Sequence, residues 1–485
     1  MPTKPSYNDT LKYLYSLEKY GIRLGLERIN ALLESLGNPQ DKLNIIHVAG
    51  TNGKGSTAAV TASILLKAGY KVGLYTSPHL VRFNERIRID GKEISNKKIA
   101  ELVERIRKSG QWPVVSGKKK KIHYNISHSS LTTGHSPLFL PTFFEFATAM
   151  AFLYFAEEKV DFAVMEVGLG GRLDATNVGR PLVSIITNIA KDHEAMLGNR
   201  IEDITFEKAG IIKKNGVLIS AETKSAALNI LKDECRKKGA MLYRLNKDFF
   251  ITLLGTNLNP APNELGFTFK GRRWLYRNLT LNLLGRHQYL NAACALAALE
   301  ILEEKGFRIS ESAVRKGLHG VFWPGRLECI SKKPLIVLDC AHNPAGAAVL
   351  RDALENRFNY KRLFLVLGIM ADKDIKGILS RLAPIADMVI LTRPRLERAA
   401  SLDLLYKHVP ACLPLQACPR MLLSGAVSRG IKRGKAGQYA DRVRRIEDVK
   451  DACLYAMAKA TVDDMICVTG SVFTVGEAKK ALRQL

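Results

Sequence analysis

The chain contains no run of eighteen or more apolar residues, which argues against a membrane-spanning helix. Its opening, MPTKPSYNDTLKYLYSLEKYG, has no apolar core of the signal-peptide kind, so a cytoplasmic protein is expected. There are only eight cysteines, and no two have the two-residue spacing of a zinc or redox motif. Several lie in apolar runs, such as Cys467 in MICVTG, where a small buried thiol is the simplest role. Acid is also scarce: 46 Asp and Glu stand against 73 Lys and Arg, a formal net charge of +27. Such an excess suits nucleic acid, a membrane surface or anionic small molecules. Much of it is local, however. Lys118 to Lys121 form one run, and Arg420 to Arg445 hold eight basic residues against Asp441 alone. Both stretches read as solvated loops, and charge by itself is a weak signal for nucleic acid.

What is present is an α/β pattern. An apolar fraction of 47% and 485 residues allow two or three cored domains. Residues 8–36 read as amphipathic helix, with Leu11, Leu14 and Leu17 at helical spacing. LNIIHVAG then reads as a buried strand, STAAVTASILLKAG as a helix with Gly69 near its end, and YKVGLYTS as a second strand. That is a βαβ unit. A polar, basic insertion at about 111–138 interrupts the series and carries His123, His128 and His135 at irregular spacing. TFFEFATAMAFLYFAEE resumes as a helix. VDFAVMEV, LVSIITN and GVLISA read as strands, and GRHQYLNAACALAALEILEEKG as a long helix stopped by Gly306. Pro324 and Gly325 break the chain. A second strand–helix series follows: LIVLDC, RLFLVLG, DMVILTRP and DMICVTG. A basic insertion falls at about 420–446. The expected domains are 1–322, with a phosphate loop and a mostly parallel sheet, and 323–485, smaller and Rossmann-like.

Chemistry collects just after the strands, where open parallel sheets bind ligands. HVAGTNGKGSTAA places Lys54 between glycines at the start of a helix. Glycines let backbone N–H groups approach a phosphate, and the helix N-terminus adds positive potential. The spacing departs from the common phosphate loop, since only two residues separate Gly50 from Gly53-Lys54. Glu166 closes an apolar strand, a costly place for an acid unless a cation meets it. Asp192 and His193 follow another strand; His193 reads equally as base, metal ligand or packed loop residue. Asp339, His342 and Asn343 follow PLIVL, and Arg326 in WPGRLE sits at the domain junction, where its planar fork suits phosphate.

In order along the chain occur GTNGKGST, YTSPHL, NERI, TFFEFATAMAF, EVGLGGRLDATN, DHEAMLG, EKAGI, GRHQYLNAACAL, WPGRLE, DCAHN and TGSVFTVGEA. Together they resemble folylpolyglutamate synthase and dihydrofolate synthase, of the Mur ligase superfamily of ATP-dependent amide-bond ligases. The loop spacing is then that superfamily's phosphate loop in its folate-ligase form. The resemblance implies that ATP phosphorylates a substrate carboxylate and that L-glutamate displaces the phosphate, on dihydropteroate and on folates. A monofunctional folylpolyglutamate synthase is the nearest alternative. A cell-wall Mur ligase and a nucleic-acid-dependent NTPase are more remote.

Carried over by residue, the resemblance gives Gly50, Thr51, Asn52, Gly53, Lys54, Gly55, Ser56 and Thr57 to the ATP phosphates. It gives Asn291, Arg326, Asp339 and His342 to other parts of ATP. Ser77 and Glu166 are implied for one Mg²⁺, and Glu166 with His193 for a second. Lys208 matches a lysine that is carbamylated in the superfamily, the bland alternative being a helix-surface lysine. Lys54, His193 and Lys208 make up the implied catalytic set. Thr142, Phe144, Asp174 and Ala175 match pterin contacts of the bifunctional bacterial enzymes. A monomer without membrane or nucleic-acid partner is expected. One departure is Cys340, where glycine is usual in DCAHN. Lys54→Ala is expected to abolish ligation in a folded protein, checked by product formation beside circular dichroism; near-normal turnover would remove the loop's assigned role.

Overall fold

The structure is a computed structural model in which residues 6–109, 140–254, 266–409 and 442–483 are described. The 111–138 insertion with its three histidines and Lys118 to Lys121, Cys412, Cys418, and the second basic segment up to residue 441 lie outside them.

The first sheet has eight strands: β1 (Ile45–Ala49), β2 (Val72–Tyr75), β3 (Ile87–Ile89), β4 (Lys92–Glu93), β5 (Phe162–Glu166), β6 (Pro181–Ile186), β7 (Val217–Ser220) and β8 (Met241–Arg244). Their order is β4-β3-β2-β5-β1-β6-β7-β8; the last six positions are parallel, and β3 and β4 add an antiparallel edge. Because side chains alternate along a strand, Ile46, Val48, Val164 and Ile185 face one side. Ile45, Ala163 and Met165 face the other, under helix Phe143–Glu157. Burial on both faces explains why β1 and β5, apart from His47 and the terminal Glu166, are apolar on both sides rather than alternating. Helices Lys54–Lys67 and Arg286–Glu304 pack together on the first side.

A small antiparallel sheet follows: β9 (Phe250–Leu253), β10 (Phe267–Lys270) and β11 (Leu275–Leu279), ordered β11-β10-β9. The third sheet is β12 (Glu328–Lys332), β13 (Leu335–Leu338), β14 (Leu363–Leu367), β15 (Met388–Leu391), β16 (Val443–Arg445) and β17 (Met465–Thr469), ordered β12-β13-β17-β14-β15-β16. Only β12 is antiparallel, and apolar side chains cover both faces. The α/β class with a larger parallel-rich sheet and a smaller parallel one is thus as expected.

Three details differ from the expectation. The 8–36 helix is broken into Tyr7–Ser16, a 3-10 turn at Leu17–Tyr20 and Glu27–Ser35, because the chain turns at Gly21 with φ +62°. The second basic insertion ends before residue 443, since Val443–Arg445 forms the edge strand β16 and Val443 is buried. The charges there fit an edge, with Arg445 paired to Asp403. The sheet β9–β11 was not anticipated; its short strands bury Phe267, Phe269 and Leu279 and little else. It is tied to the main body by Glu300, whose buried carboxylate accepts hydrogen bonds from the backbone N–H groups of Arg272, Arg273 and Trp274. Glu300→Ala leaves the buried Trp274 N–H unpaired and should cost about 1–3 kcal/mol. Denaturant unfolding checks this, and an unchanged midpoint would refute it.

Candidate active site

The carboxyl ends of β5, β1 and β6 lie side by side, so the loops after them converge. Glu166 ends β5, Gly50 follows β1, and Thr187 and Asn188 follow β6. The phosphate loop is moored from the β6 side. Asn52 N–H donates to Asn188 Oδ1 at 3.0 Å, Thr187 Oγ1 donates to Asn52 O at 2.7 Å, and Thr51 Oγ1 exchanges hydrogen bonds with the Ala190 backbone. Both glycines flanking Lys54 are dictated by geometry. Gly53 has φ +84°, and a Cβ there would sit 2.2 Å from Asn291 Oδ1. A Cβ on Gly55 would sit 3.0 Å from Trp323 Nε1, so this glycine lets the linker bearing Arg326 lie on the loop.

Two lysines meet here. Lys54 Nζ donates to Gly50 O and Thr51 O, each at 3.1 Å. Lys208 Nζ donates to the same Gly50 O at 3.0 Å. Lys208 is buried, which corrects the helix-surface alternative. Burial, and then the Lys54 charge, pull its amine down to about 7. Glu166 is buried as well and, among the described residues, accepts only the Ser77 N–H, at 3.1 Å. Burial raises its carboxyl, against the pull of Lys54, Ser77 and Arg326. Arg326 has no hydrogen-bonded partner among the described residues. Lys54, Ser77, Glu166, His193, Lys208, Arg326 and His342 all line one cavity of about 110 Å³. An adjoining cavity of about 210 Å³ is lined by Ser56, Asn188, Asn291, Arg326 and Asp339. Thr57 is fully buried and supports the loop rather than facing it.

The third sheet closes the site from its own strand ends. Asp339 is buried at the end of β13, with its carboxylate accepting from Leu327 N–H and Ala341 N–H, both at 2.9 Å. Cys340 is tolerated because its thiol packs inward against Gly325; burial pushes it up to about 12. Across the junction, Asp192 receives Lys373 Nζ at 2.7 Å and Asn343 Nδ2 at 3.1 Å, with His342 Nε2 at 3.4 Å. Asn343 also pairs its amide with that of Asn52. Lys373 was not singled out in the sequence, although MADKD follows strand β14 and the strand-end rule would have found it. His193 has φ +52° and accepts from Lys373 Nζ at 3.2 Å; burial lowers its imidazole to about 4, so it is neutral at pH 7.

The residues matched to pterin contacts lie at the start of helix Phe143–Glu157 and in the turn after β5. Thr142 caps that helix with Glu145, and Ala175 is buried. Asp174 holds its own turn, accepting from Leu169 N–H, Thr176 N–H and Thr176 Oγ1. Phe144 is only half-buried, with its ring against Gly168. It is the one of the four with a face to offer.

Among the described residues, no three His, Cys, Asp or Glu side chains converge as a metal cluster, and no helix is long and apolar enough to cross a membrane. A divalent ion nonetheless fits the donors present: Glu166 has lone pairs to spare, and the Ser77 hydroxyl has no partner among the described residues. Hard oxygen ligands of this kind, completed by phosphate oxygens, suit Mg²⁺.

Comparison with known proteins agrees with this geometry. The Mur ligase middle domain matches residues 125–299, and the Mur ligase glutamate ligase domain matches 325–472. Fold and site therefore define an ATP-dependent, amide-bond-forming ligase of the Mur type. The dihydrofolate synthase/folylpolyglutamate synthase of Bacillus subtilis is 34% identical over 480 residues, 99% of each chain. Escherichia coli FolC in complex with DHPP and ADP superposes with TM-score 0.79 at 30% identity, covering 99% of each chain. The bifunctional Yersinia pestis enzyme complexed with AMPPNP and Mn ion gives TM-score 0.76 at 30% identity, covering 99% of this chain and 98% of that one. The chain belongs to the dihydrofolate synthase/folylpolyglutamate synthase family, which displaces the nucleic-acid and cell-wall alternatives.

Burial alone would raise the Asp192 carboxyl, but His342, His193 and Lys373 outweigh it and hold it well below the usual carboxylate range. A carboxyl depressed in the folded state contributes stability above its unfolded value of about 3.9 and loses it as pH falls further. Asp192→Asn should therefore flatten the loss of stability below pH about 4, and should cost about 3–5 kcal/mol near neutrality by stranding Lys373. Unfolding curves from pH 3 to 7 check both effects.

Proposed function

We propose that this ligase adds L-glutamate both to dihydropteroate and to folates, using ATP. The observation that carries this reading is the single cavity into which Lys54, Lys208, Arg326 and Glu166 all face. Lys54 and Arg326 facing one cavity suit a reaction that crowds anions together. ATP binds with its phosphates on Gly50 to Thr57 and its remaining parts against Asn291, Arg326, Asp339 and His342. A carboxylate oxygen of the acceptor attacks the γ-phosphorus. The bond to the β,γ-bridging oxygen breaks, and its electron pair leaves on ADP. The amine of glutamate then attacks the acyl carbon and loses a proton, and phosphate departs with the C–O electron pair. Lys54 and Arg326 neutralise charge as it moves between these oxygens. Ser77 and Glu166 would hold one Mg²⁺, and Glu166 with neutral His193 a second. Bound there, the metal supplies Lewis-acid neutralisation of phosphate charge.

Lys208 is read as a carbamate. Its buried amine, depressed to about 7, is a neutral nucleophile near physiological pH. It can add to CO₂, losing a proton and becoming an anion beside Lys54. The pteroyl group is read against Phe144, with Thr142, Asp174 and Ala175 shaping its recess. The chain would work as a cytoplasmic monomer divided near residue 322, with the reaction between its two parts.

Two measurements test this. Phosphate release and product masses should show one glutamate gained by dihydropteroate and by a reduced folate. Gain on folates alone would select the monofunctional enzyme, and gain on neither would sink the substrate assignment. With ¹³C-bicarbonate, a carbamate resonance should grow as pH rises through about 7 and vanish in Lys208→Ala. A resonance that persists in that variant would overturn the lysine's role.

A further inference from the structure

Arg86, in NERI, is only 7% exposed and forms no ion pair among the described residues. Its Nε donates to His79 Nδ1 at 2.8 Å, and its guanidinium lies over the Phe143 ring, 5.1 Å from the centroid. The Nη groups have no hydrogen-bond partner among the described residues. Glu18 and Glu166 are near enough to be felt electrostatically, yet neither pairs with it. A buried guanidinium without a counter-ion is costly, and the fold gives it up only to a ligand that supplies the missing anion. Accepting from Arg86 also sets the His79 tautomer. Nδ1 is unprotonated, so Nε2 carries the proton and is a second donor without a partner among the described residues.

The placement says which anion. The Arg86 backbone carbonyl accepts the Thr76 N–H at 2.9 Å, one residue from Ser77. His79 lines a cavity together with Ser77 and Glu166. On its other side Arg86 rests on Phe143, between Thr142 and Phe144, where the proposed function puts the flat end of the acceptor. His79 thus faces the phosphate end, and Arg86 behind it joins it to the helix that begins at the heterocycle's end. We infer that Arg86, with His79, forms the receptor for the acceptor carboxylate that is to be phosphorylated. The planar fork takes one or both carboxylate oxygens, orienting the group toward the γ-phosphate. The inference rests on the proposed function for the identity of the acceptor.

The test compares dihydropteroate with its carboxamide, which keeps the ring system and removes the charge. Binding is followed by fluorescence titration in the presence of MgADP. The wild-type protein should prefer the carboxylate by about tenfold or more, the worth of one charge-assisted hydrogen bond. Arg86→Gln should abolish that preference while leaving carboxamide affinity unchanged, and Arg86→Lys should restore part of it. In turnover, KM for dihydropteroate should rise in both variants, with KM for ATP held within twofold. Equal discrimination in wild type and Arg86→Gln would overturn the inference, leaving Arg86 as a packing residue on Phe143. Should Arg86→Gln fail to fold, Arg86→Lys decides alone: undiminished preference there, with unchanged KM, is the overturning result. Failure of the wild-type protein to bind either ligand is a different outcome, which would refute the acceptor's identity and the inference with it.

Discussion

Lys54 and Lys208 both donate to the carbonyl of Gly50. Two lysine amines on one backbone oxygen, with Arg326 nearby and without a hydrogen-bonded partner among the described residues, form a cluster of positive charge in a cavity that also holds Glu166 and Asp192. Such crowding is unfavourable in a buried setting unless anions arrive to relieve it. Much of the surrounding structure serves to hold that arrangement. The strand ends fix where the three loops meet, Asn188 and Thr187 moor the phosphate loop, and Gly53 and Gly55 remove the Cβ atoms that would block Asn291 and Trp323. The same excess of cation depresses the Lys208 amine and moderates the effect of burial on Glu166.

The two larger sheets meet through polar groups rather than through an apolar seam at this point. Asp192 gathers Lys373, Asn343 and His342 from the third sheet's loops, while Asn343 pairs with Asn52 of the phosphate loop. Each contact couples a strand-end loop of one part to a loop of the other part. Anions reaching Lys54 or Arg326 therefore act on groups that also set the junction. The net charge of the chain is a poor guide to this, since the cations that line the cavity are few and placed, and many of the others pair on the surface with neighbouring acids.

Much of the fold was legible in the chain. The βαβ start, the buried strands and the long helix of GRHQYLNAACAL follow from apolar runs punctuated by glycine, because a strand covered on both faces leaves no polar positions. The sheet β9–β11 was not legible, as its residues are half-buried and its partners distant. Gly21 was passed over within a leucine pattern that looked continuous. At the site, the motifs pointed to Lys54, Glu166 and Arg326, which the structure brings to one cavity. They also named Asp174, whose carboxylate proves to be engaged in its own turn.

By itself the sequence determined the class of fold, the phosphate loop and the family, since these depend on local periodicity and on spacings along the chain. Only the tertiary structure decided which charges are buried, which are partnered and which face one another. That Lys208 is enclosed, that Lys373 reaches Asp192 across the junction and that Arg86 has no counter-ion among the described residues are all consequences of packing between distant segments. Desolvation and proximity set the chemistry of a titratable group, and neither is a property of its neighbours in sequence.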